Sequence, residues 1–542
     1  MPQTTSSLTL EIRPACVARV RQVLEAWRNS EELTPDLYAG LKTRLPGLHF
    51  MSATVFSDAS YDPILALEFN FDGRPDAFWR QLEAAHGAVL QDLIRCCKRP
   101  VDRTCRLFDA ALRPGAHPPV AAYLAAQAGR PLAVHQGNRG LDRERIEQEA
   151  ALFLETRRVL ANAKEFAGAT PAEIHAKLRA ALLPGFPWLN GRAPPRITVR
   201  ERLCDGAKLA GAQLLLVLGL SLPGVLLSFL DARLLLLGFF LAGAALATGI
   251  YFVGGAVSTA ALRQAGAELT LLVRHALPWL ANRIVLFAAA VLLLAGFVLA
   301  GATVIAILTV VVERRDVGSA WVYGVRAAVL GLASMMAAVP LLLLWLRWLE
   351  VRDPSQDGPP TSPESLKQMA EAEDQVVQNH MSSLVLIKPG ILRAALIRVG
   401  LWNVGLILRT LATDGYLASM RTIHFAHWTL ASNGGRLLFF SNFDGSWESY
   451  LDDFIEKAHG GLSLAWGNCV GFPPSCFLVL GGASQGRQFK AWARHSMAPA
   501  LFWFSAYPND TVNQIERQAA LAEGLRRPTL NEEEATAWMR TL

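Results

Sequence analysis

Along this chain the spacing of apolar residues changes character twice. Residues 8–12, 48–56 and 64–69 are short alternating or apolar runs of the kind strands show, while residues 17–27 and 77–96 place apolar side chains every three or four positions, as helices do. A further short run at 105–108 reads as a strand. The order is βαββαβ, the ferredoxin-like plan. Between Ala207 and Glu350 polar residues almost disappear. Past residue 412 the alternation returns, with strands expected at 422–430, 436–441, 476–480 and 501–505 and helices at 447–464 and 487–495.

The two flanks share one motif order. GLHF at 47–50, ILALEFNFDG ending at Gly73 and a helix closing on Ala85-His86-Gly87 are matched by TIHF at 422–425, RLLFFSNFDG ending at Gly445 and a helix closing on Ala458-His459-Gly460. A duplicated fold split by a membrane insert accounts for the pattern. Each half would form a four-stranded sheet with helices on one face, and the bare faces would bury each other as a dimeric α/β barrel within one chain. The expected class is therefore α+β with membrane helices. Its parts are a first half at 1–135, a helical linker at 136–206, a transmembrane domain at 207–350, a linker with an interfacial helix at 351–412, a second half at 413–520 and a tail at 521–542.

About 20 apolar residues span the hydrocarbon core as a helix. Four stretches qualify, at 207–230, 234–255, 284–312 and 327–349. An even number places both flanks on one side. Ten arginines and lysines border the spans on that side (Arg192, Arg196, Arg200, Arg202, Lys208, Arg263, Arg274, Arg283, Arg347, Arg352) against four on the other (Arg233, Arg314, Arg315, Arg326), so both termini are expected in the cytoplasm and the protein in the inner membrane. No basic segment followed by an apolar one marks a leader at the amino terminus. The spans hold essentially no charge, which favours an anchor over a transport path, with small residues such as Gly238, Gly243, Gly249, Gly296 and Gly301 letting helices approach. Residues 391–411 interleave Arg393, Arg398 and Arg409 with Leu, Ile and Trp, the pattern of an interfacial amphipathic helix, a fifth span being the alternative. Residues 184–195 and 353–363 read as linkers and 141–166 as a solvated helix.

Composition agrees with a membrane protein: 52% of the 542 residues are hydrophobic and 18% charged. Seven cysteines without paired spacing point to reduced thiols. The net charge of +6 is spent largely on the membrane flanks, and basic residues do not interleave with aromatics as a nucleic-acid surface requires.

The run IHFAHW, SNFDGSWESYLDDFIEKAHGGL, NCVGFPP, LVLGG and WFSAYP resembles a group of bacterial membrane-associated proteins with IHFARW and SNFDGSW motifs, described as peroxidase-like for the dimeric α/β barrel of dye-decolourising peroxidases. The resemblance covers mainly residues 371–517. It implies that barrel and an oxidoreductase acting on a hydrophobic or membrane-associated molecule, with haem held by a histidine of the carboxy-terminal half and a distal Asp and Arg. Asp72-Gly73 and Asp444-Gly445 stand in NFDG, without the earlier Gly of that family's GxxDG motif.

On that reading His424 is the first-choice haem ligand with His427 beside it, Asp444 the proton-transfer group, and Arg436 or Arg421 its charge partner. The bland readings are a hydrogen-bonded core histidine and, for Asp444 with Ser446, a helix cap. His424 and His427 are expected on opposite strand faces, and His86 and His459 on the last carbonyls of their helices. Trp428, Phe439, Phe440, Phe443, Trp447, Tyr450, Trp466, Phe472, Trp492, Phe502, Trp503, Phe504 and Tyr507 line either a lipophilic pocket or the barrel core. The glycine-rich turn LVLGGASQGR lacks the phosphate-loop lysine. The expected function is a membrane-anchored peroxidase-like oxidoreductase; the alternative is a non-enzymatic module that holds or senses a lipid or small amphiphile. The expected partners are the bilayer and a hydrophobic small molecule, with self-association left open.

Overall fold

The computed structural model describes residues 3–32, 38–58, 61–113, 119–161, 166–230, 266–267, 270, 274, 284–353, 362–373, 377–410, 421–431 and 434–542. The chain divides into two compact units. One gathers Met1–Gly206, Asp357–Pro473 and Gly481–Leu542, so both flanks of the apolar block fold together; the other holds Ala207–Gln356 and Pro474–Leu480.

In the first unit β1 (Gln3–Glu11), α1 (Val17–Glu32), β2 (Leu48–Asp58), β3 (Tyr61–Asp72), α2 (Pro75–Cys96) and β4 (Ala133–Gln136) follow the expected βαββαβ order, and a solvated helix α3 (Arg143–Leu160) comes after them. The second flank repeats the order with β5 (Gln378–Leu386), α7 (Ile391–Thr410), β6 (Ile423–Ala431), β7 (Arg436–Asp444), α8 (Trp447–Trp466), a short α9 (Gly486–Ser496) and β8 (Ala500–Ser505), then α10 (Val512–Arg526). In the intervening apolar unit α4 (Val199–Ser228) leads in, and α5 (Ile284–Glu313) and α6 (Val317–Val351) follow.

The sheets exchange their last strands. One has the order β1-β3-β2-β8 and the other β5-β7-β6-β4, all antiparallel. β3 and β7, the strands that end in NFD, hold the same place in the two orders. The fourth strand of each half thus pairs with the second strand of the other. Residues 105–108 are not that fourth strand but the start of a helix, Cys105–Ala111; the strand comes later, where Ala133–Gln136 finds β6.

The inner faces meet through matched contacts. Ser7 Oγ lies 3.1 Å from Thr429 Oγ1, and Thr54 Oγ1 lies 2.9 Å from Ser382 Oγ, the same pair of positions in each half. Phe56, Ile64 and Ala66 of one sheet cluster with Leu384, Leu438 and Phe440 of the other. Most of the aromatic set is core: Trp428, Phe439, Phe443, Trp447, Tyr450, Trp466 and Phe472 fill the space between the second sheet and its helices, leaving a cavity of about 20 Å³, room for no more than a water.

Both helices expected to end at Ala-His-Gly run on instead. α2 continues through His86, where it is kinked, and α8 through Ala458, where it is kinked one position earlier in the motif. His86 is buried against Trp27, and burial lowers its pKa to about 4; His459 meets the Ile455 carbonyl at 3.2 Å, mid-helix. Residues 476–480 are not one continuous strand: two-residue strands, Ser475–Cys476 and Leu480–Gly481, pair on either side of a turn in which Phe477 and Leu478 take left-handed backbone, with φ of 54° and 59°. The Phe477 and Leu478 amides both donate to the Glu350 carboxylate at 2.9 Å, and Ser475 Oγ joins them at 3.1 Å, so the turn holds an anion.

Among the described residues three helices are long and apolar enough to cross a membrane, α4, α6 and α7. The expected span at 234–255 lies outside the described residues. α5 packs along α6. The close approaches are at Gly224, where a Cβ would come within 1.9 Å of the Leu330 carbonyl, and at Gly324, within 2.2 Å of that of Ala302, rather than at Gly296 or Gly301.

Candidate functional sites

His424 and Asp444 are neighbours because β6 and β7 pair. A register shift between Ile423 and Phe425 bulges the strand at His424 and breaks strict alternation. The ring therefore meets Phe50 and Tyr507 on the inner side, the side that His427 also takes, instead of the opposite face. Its Nε2 bonds Asp444 Oδ1 at 2.7 Å, and Asp444 Oδ2 accepts the Val512 amide, the first of α10, at 2.8 Å. Asp444 thus caps a helix, though not the one expected: α8 is capped by Ser446, which accepts from Ser449 N–H.

The first half repeats this arrangement. The strand bulges at His49, whose Nε2 lies 3.0 Å from Asp72 Oδ2 though off the hydrogen-bond direction, and Asp72 Oδ2 accepts the Arg143 amide, the first of α3, at 2.8 Å. α3 and α10 pack on each other. The halves differ at the second ring nitrogen. His49 Nδ1 is 2.8 Å from the Tyr507 hydroxyl, whereas His424 Nδ1 is buried without a hydrogen-bond partner among the described residues.

A second cluster lies between the sheets, where the duplicated positions have diverged. Glu68 is fully buried on β3 and accepts from Asn70 Nδ2 at 2.8 Å, Asn442 Nδ2 at 3.1 Å and Ser52 Oγ at 3.2 Å. The Asn442 carbonyl oxygen receives Trp503 Nε1 at 3.0 Å and His380 Nδ1 at 3.1 Å, which turns its amide nitrogen towards Glu68. His380 Nδ1 and His427 Nδ1 stand 3.6 and 3.7 Å from the two carboxylate oxygens. Burial raises the Glu68 pKa to about 7 against the pull of its three donors. Burial lowers His380 to about 4 and His427 to about 3, the latter also by the nearby His380. The cluster can hold or release one proton near neutrality. No group of three His, Cys, Asp or Glu among the described residues is placed to hold a metal ion.

A third site is a cleft of about 300 Å³ lined by Arg139, Arg145, Arg196, Arg409, Asp142 and Glu201, with Gln3, Gln136 and Thr198. It forms where the turn before α3, the linker before α4 and the end of α7 converge. Arg139 bonds Glu201 and Asp205 at 2.7 Å and the Arg409 carbonyl at 2.6 Å, so the last turn of α7 is tied to the first turns of α4. Gly140, at φ 80°, lets the Arg196 backbone pack against it: a Cβ there would come within 2.0 Å of the Arg196 carbonyl.

Of the residues singled out from sequence, His424 and Asp444 come together, and His427 joins the central cluster. Arg436 does not join them; it lies over the Tyr61 ring at 4.3 Å, at the opposite end of β7 from Asp444. Neither described cavity is lined by His424 or His427. Sequence reasoning missed Glu68, a lone acid in an apolar strand, whose burial was the available signal. It also missed His380, in a strand not expected at all, and the cleft. No family model matches the chain, no curated protein matches it, and no solved structure matches it.

Proposed function

We propose that the chain is a multi-pass inner-membrane protein with both termini in the cytoplasm, four spans, and a fused dimeric α/β barrel that binds or senses a lipid or small amphiphile at the bilayer surface. The observation that carries this reading is the divergence of the duplicated first helix. α1 turns Arg19, Arg21, Gln22, Glu25, Asn29 and Glu32 to solvent. α7, in the same place in the second half, buries Leu392, Ile397, Leu401 and Leu406 but exposes Ile391, Val399, Trp402 and Ile407 beside Arg398 and Arg409. An exposed apolar stripe rimmed by arginines on a helix already packed along one side suits the headgroup boundary better than a crossing. Its last turn is bolted to α4 a few residues before the apolar run that starts at Ala207.

A photo-crosslinking residue in place of Trp402, in the full chain in lipid nanodiscs, should yield lipid adducts. Adducts to protein alone would remove the surface reading.

A second reading, a haem-dependent peroxidase-like oxidoreductase, is favoured by one observation: both ring nitrogens of His427, and Nδ1 of His424, are buried without a hydrogen-bond partner among the described residues. Haem would supply the peroxide chemistry; His424 would have to give up Asp444 to hold it through Nε2. A Soret band after haem-supplemented expression that disappears in His424→Ala would favour this reading, and no band in the wild type would end it.

A further inference from the structure

We infer that the arginine cleft beside the start of α4 is a binding site for a phosphate-bearing anion, with the headgroup of an acidic phospholipid as the ligand the geometry suits; this rests on the reading that the barrel lies on the bilayer. Four arginines and two carboxylates, Asp142 and Glu201, line the cleft, and Asp205 just behind the wall pairs with both Arg139 and Arg409, so what the cleft offers an anion is spare arginine donors rather than an excess of charge. Other carboxylates stand behind them and aim them. Glu149 holds Arg145 through Nε at 2.7 Å, and Glu516 holds Arg196 through Nη1 alone, at 2.7 and 2.8 Å. Arg196 Nε and Nη2 are therefore left without a hydrogen-bond partner among the described residues. A planar fork with two donors to spare is the form in which arginine takes phosphate.

The rest of the setting agrees. The volume, about 300 Å³, lies at the small end of ligand pockets, suited to a headgroup rather than to a whole amphiphile. Thr198 and Glu201 belong to the amino-terminal end of α4, where helix amides and dipole favour an anion. Glu201 precedes by six residues the apolar run that begins at Ala207. Basic pockets at the cytoplasmic ends of spans are where acidic headgroups are held.

The test uses the detergent-purified full chain with short-chain phosphatidic acid, phosphatidylcholine of the same acyl chains, and inorganic phosphate, each titrated by thermophoresis. Phosphatidic acid should bind saturably and phosphatidylcholine should not. Arg196→Gln should weaken binding about fivefold, the effect of one surface arginine on an acidic headgroup. Glu201→Gln should strengthen it, a change of sign that misfolding would not produce. Inorganic phosphate binding as well as the lipid, with the same response to both variants, would make a soluble phosphate compound the ligand and uphold the site. Binding indifferent to both variants, or no saturable binding of either phosphate, would overturn it. If lipid adducts at 402 persist while the cleft fails, the surface reading stands without it; loss of the adducts with the cleft intact would remove that reading instead.

Discussion

At the scale of single residues, Glu68 decides how the packed sheets answer to pH. Its pKa is raised from 4.5 to about 7, so the folded state holds a proton that the unfolded chain has already lost. Stability from this group is complete below pH 4.5 and falls as pH rises towards 7, by about 3 kcal/mol in all. His380 and His427 act the other way: kept neutral by burial, they cost stability as pH falls from 6.5 towards 4, where the unfolded chain takes up protons first. Melting curves of Glu68→Gln and wild type should therefore separate progressively between pH 4.5 and 7, the variant gaining, and run parallel below pH 4.5. A separation independent of pH would contradict the assignment.

The paired braces give a second residue-scale expectation. Asp444→Ala leaves a buried histidine without its acceptor and a helix without its first capping contact, so a loss of about 2–4 kcal/mol is expected in denaturant unfolding. Asp72→Ala should cost a similar amount, because Arg143 N–H and His49 stand where Val512 N–H and His424 do. A large effect at one aspartate and none at the other would mean the two sites have parted in role.

At the scale of elements, α7 touches β4 through a glycine. A Cβ on Gly405 would lie 2.7 Å from the Leu132 carbonyl oxygen and 3.0 Å from Ala133 Cα, both backbone atoms that cannot step aside. Gly405→Val should lower stability by about 1–3 kcal/mol by pushing the helix off the sheet, whereas Val399→Glu, on the exposed side, should leave the fold intact and weaken only the lipid contact proposed for α7. The strands of the His-Phe and Asn-Phe-Asp-Gly motifs were legible because local alternation and repetition mark them twice. β5 was not, because QNHMSSLVL puts polar residues on a face that is buried among hydrogen-bond partners, as Gln378, His380 and Ser382 show. Alternation also says nothing about the partner of a strand, so the exchange of β4 and β8 could not be read. His424 and Asp444 were found through the repeat; Glu68 and His380 lie in different halves and meet only when the sheets pack.

At the scale of the whole molecule, exchange makes the halves interdependent. Residues 1–206 and 357–542 expressed apart should each be insoluble, since each sheet is left without the strand that the other half lends it, and co-expression should recover a soluble complex if the two sheets need only their own strands. Recovery of either half alone would show the exchange to be dispensable. Reporter fusions at Met1 and Leu542 should both report the cytoplasm, from ten basic flanking residues against four; opposite compartments would mean an odd number of spans.

The exchanged strand also sets a clock on synthesis. β2 leaves the ribosome roughly 440 residues before β8, which covers its edge, and the whole apolar block is made in between. At bacterial or eukaryotic translation speeds that gap is on the order of a minute. Throughout it the nascent first sheet shows an unpaired eleven-residue edge strand, a template for joining a neighbouring chain on the same polysome. Holding that edge apart until the carboxy terminus arrives is a task for a chaperone or for the membrane surface itself, and slowing the final stretch of translation should favour intertwined dimers in which one chain lends its last strand to another.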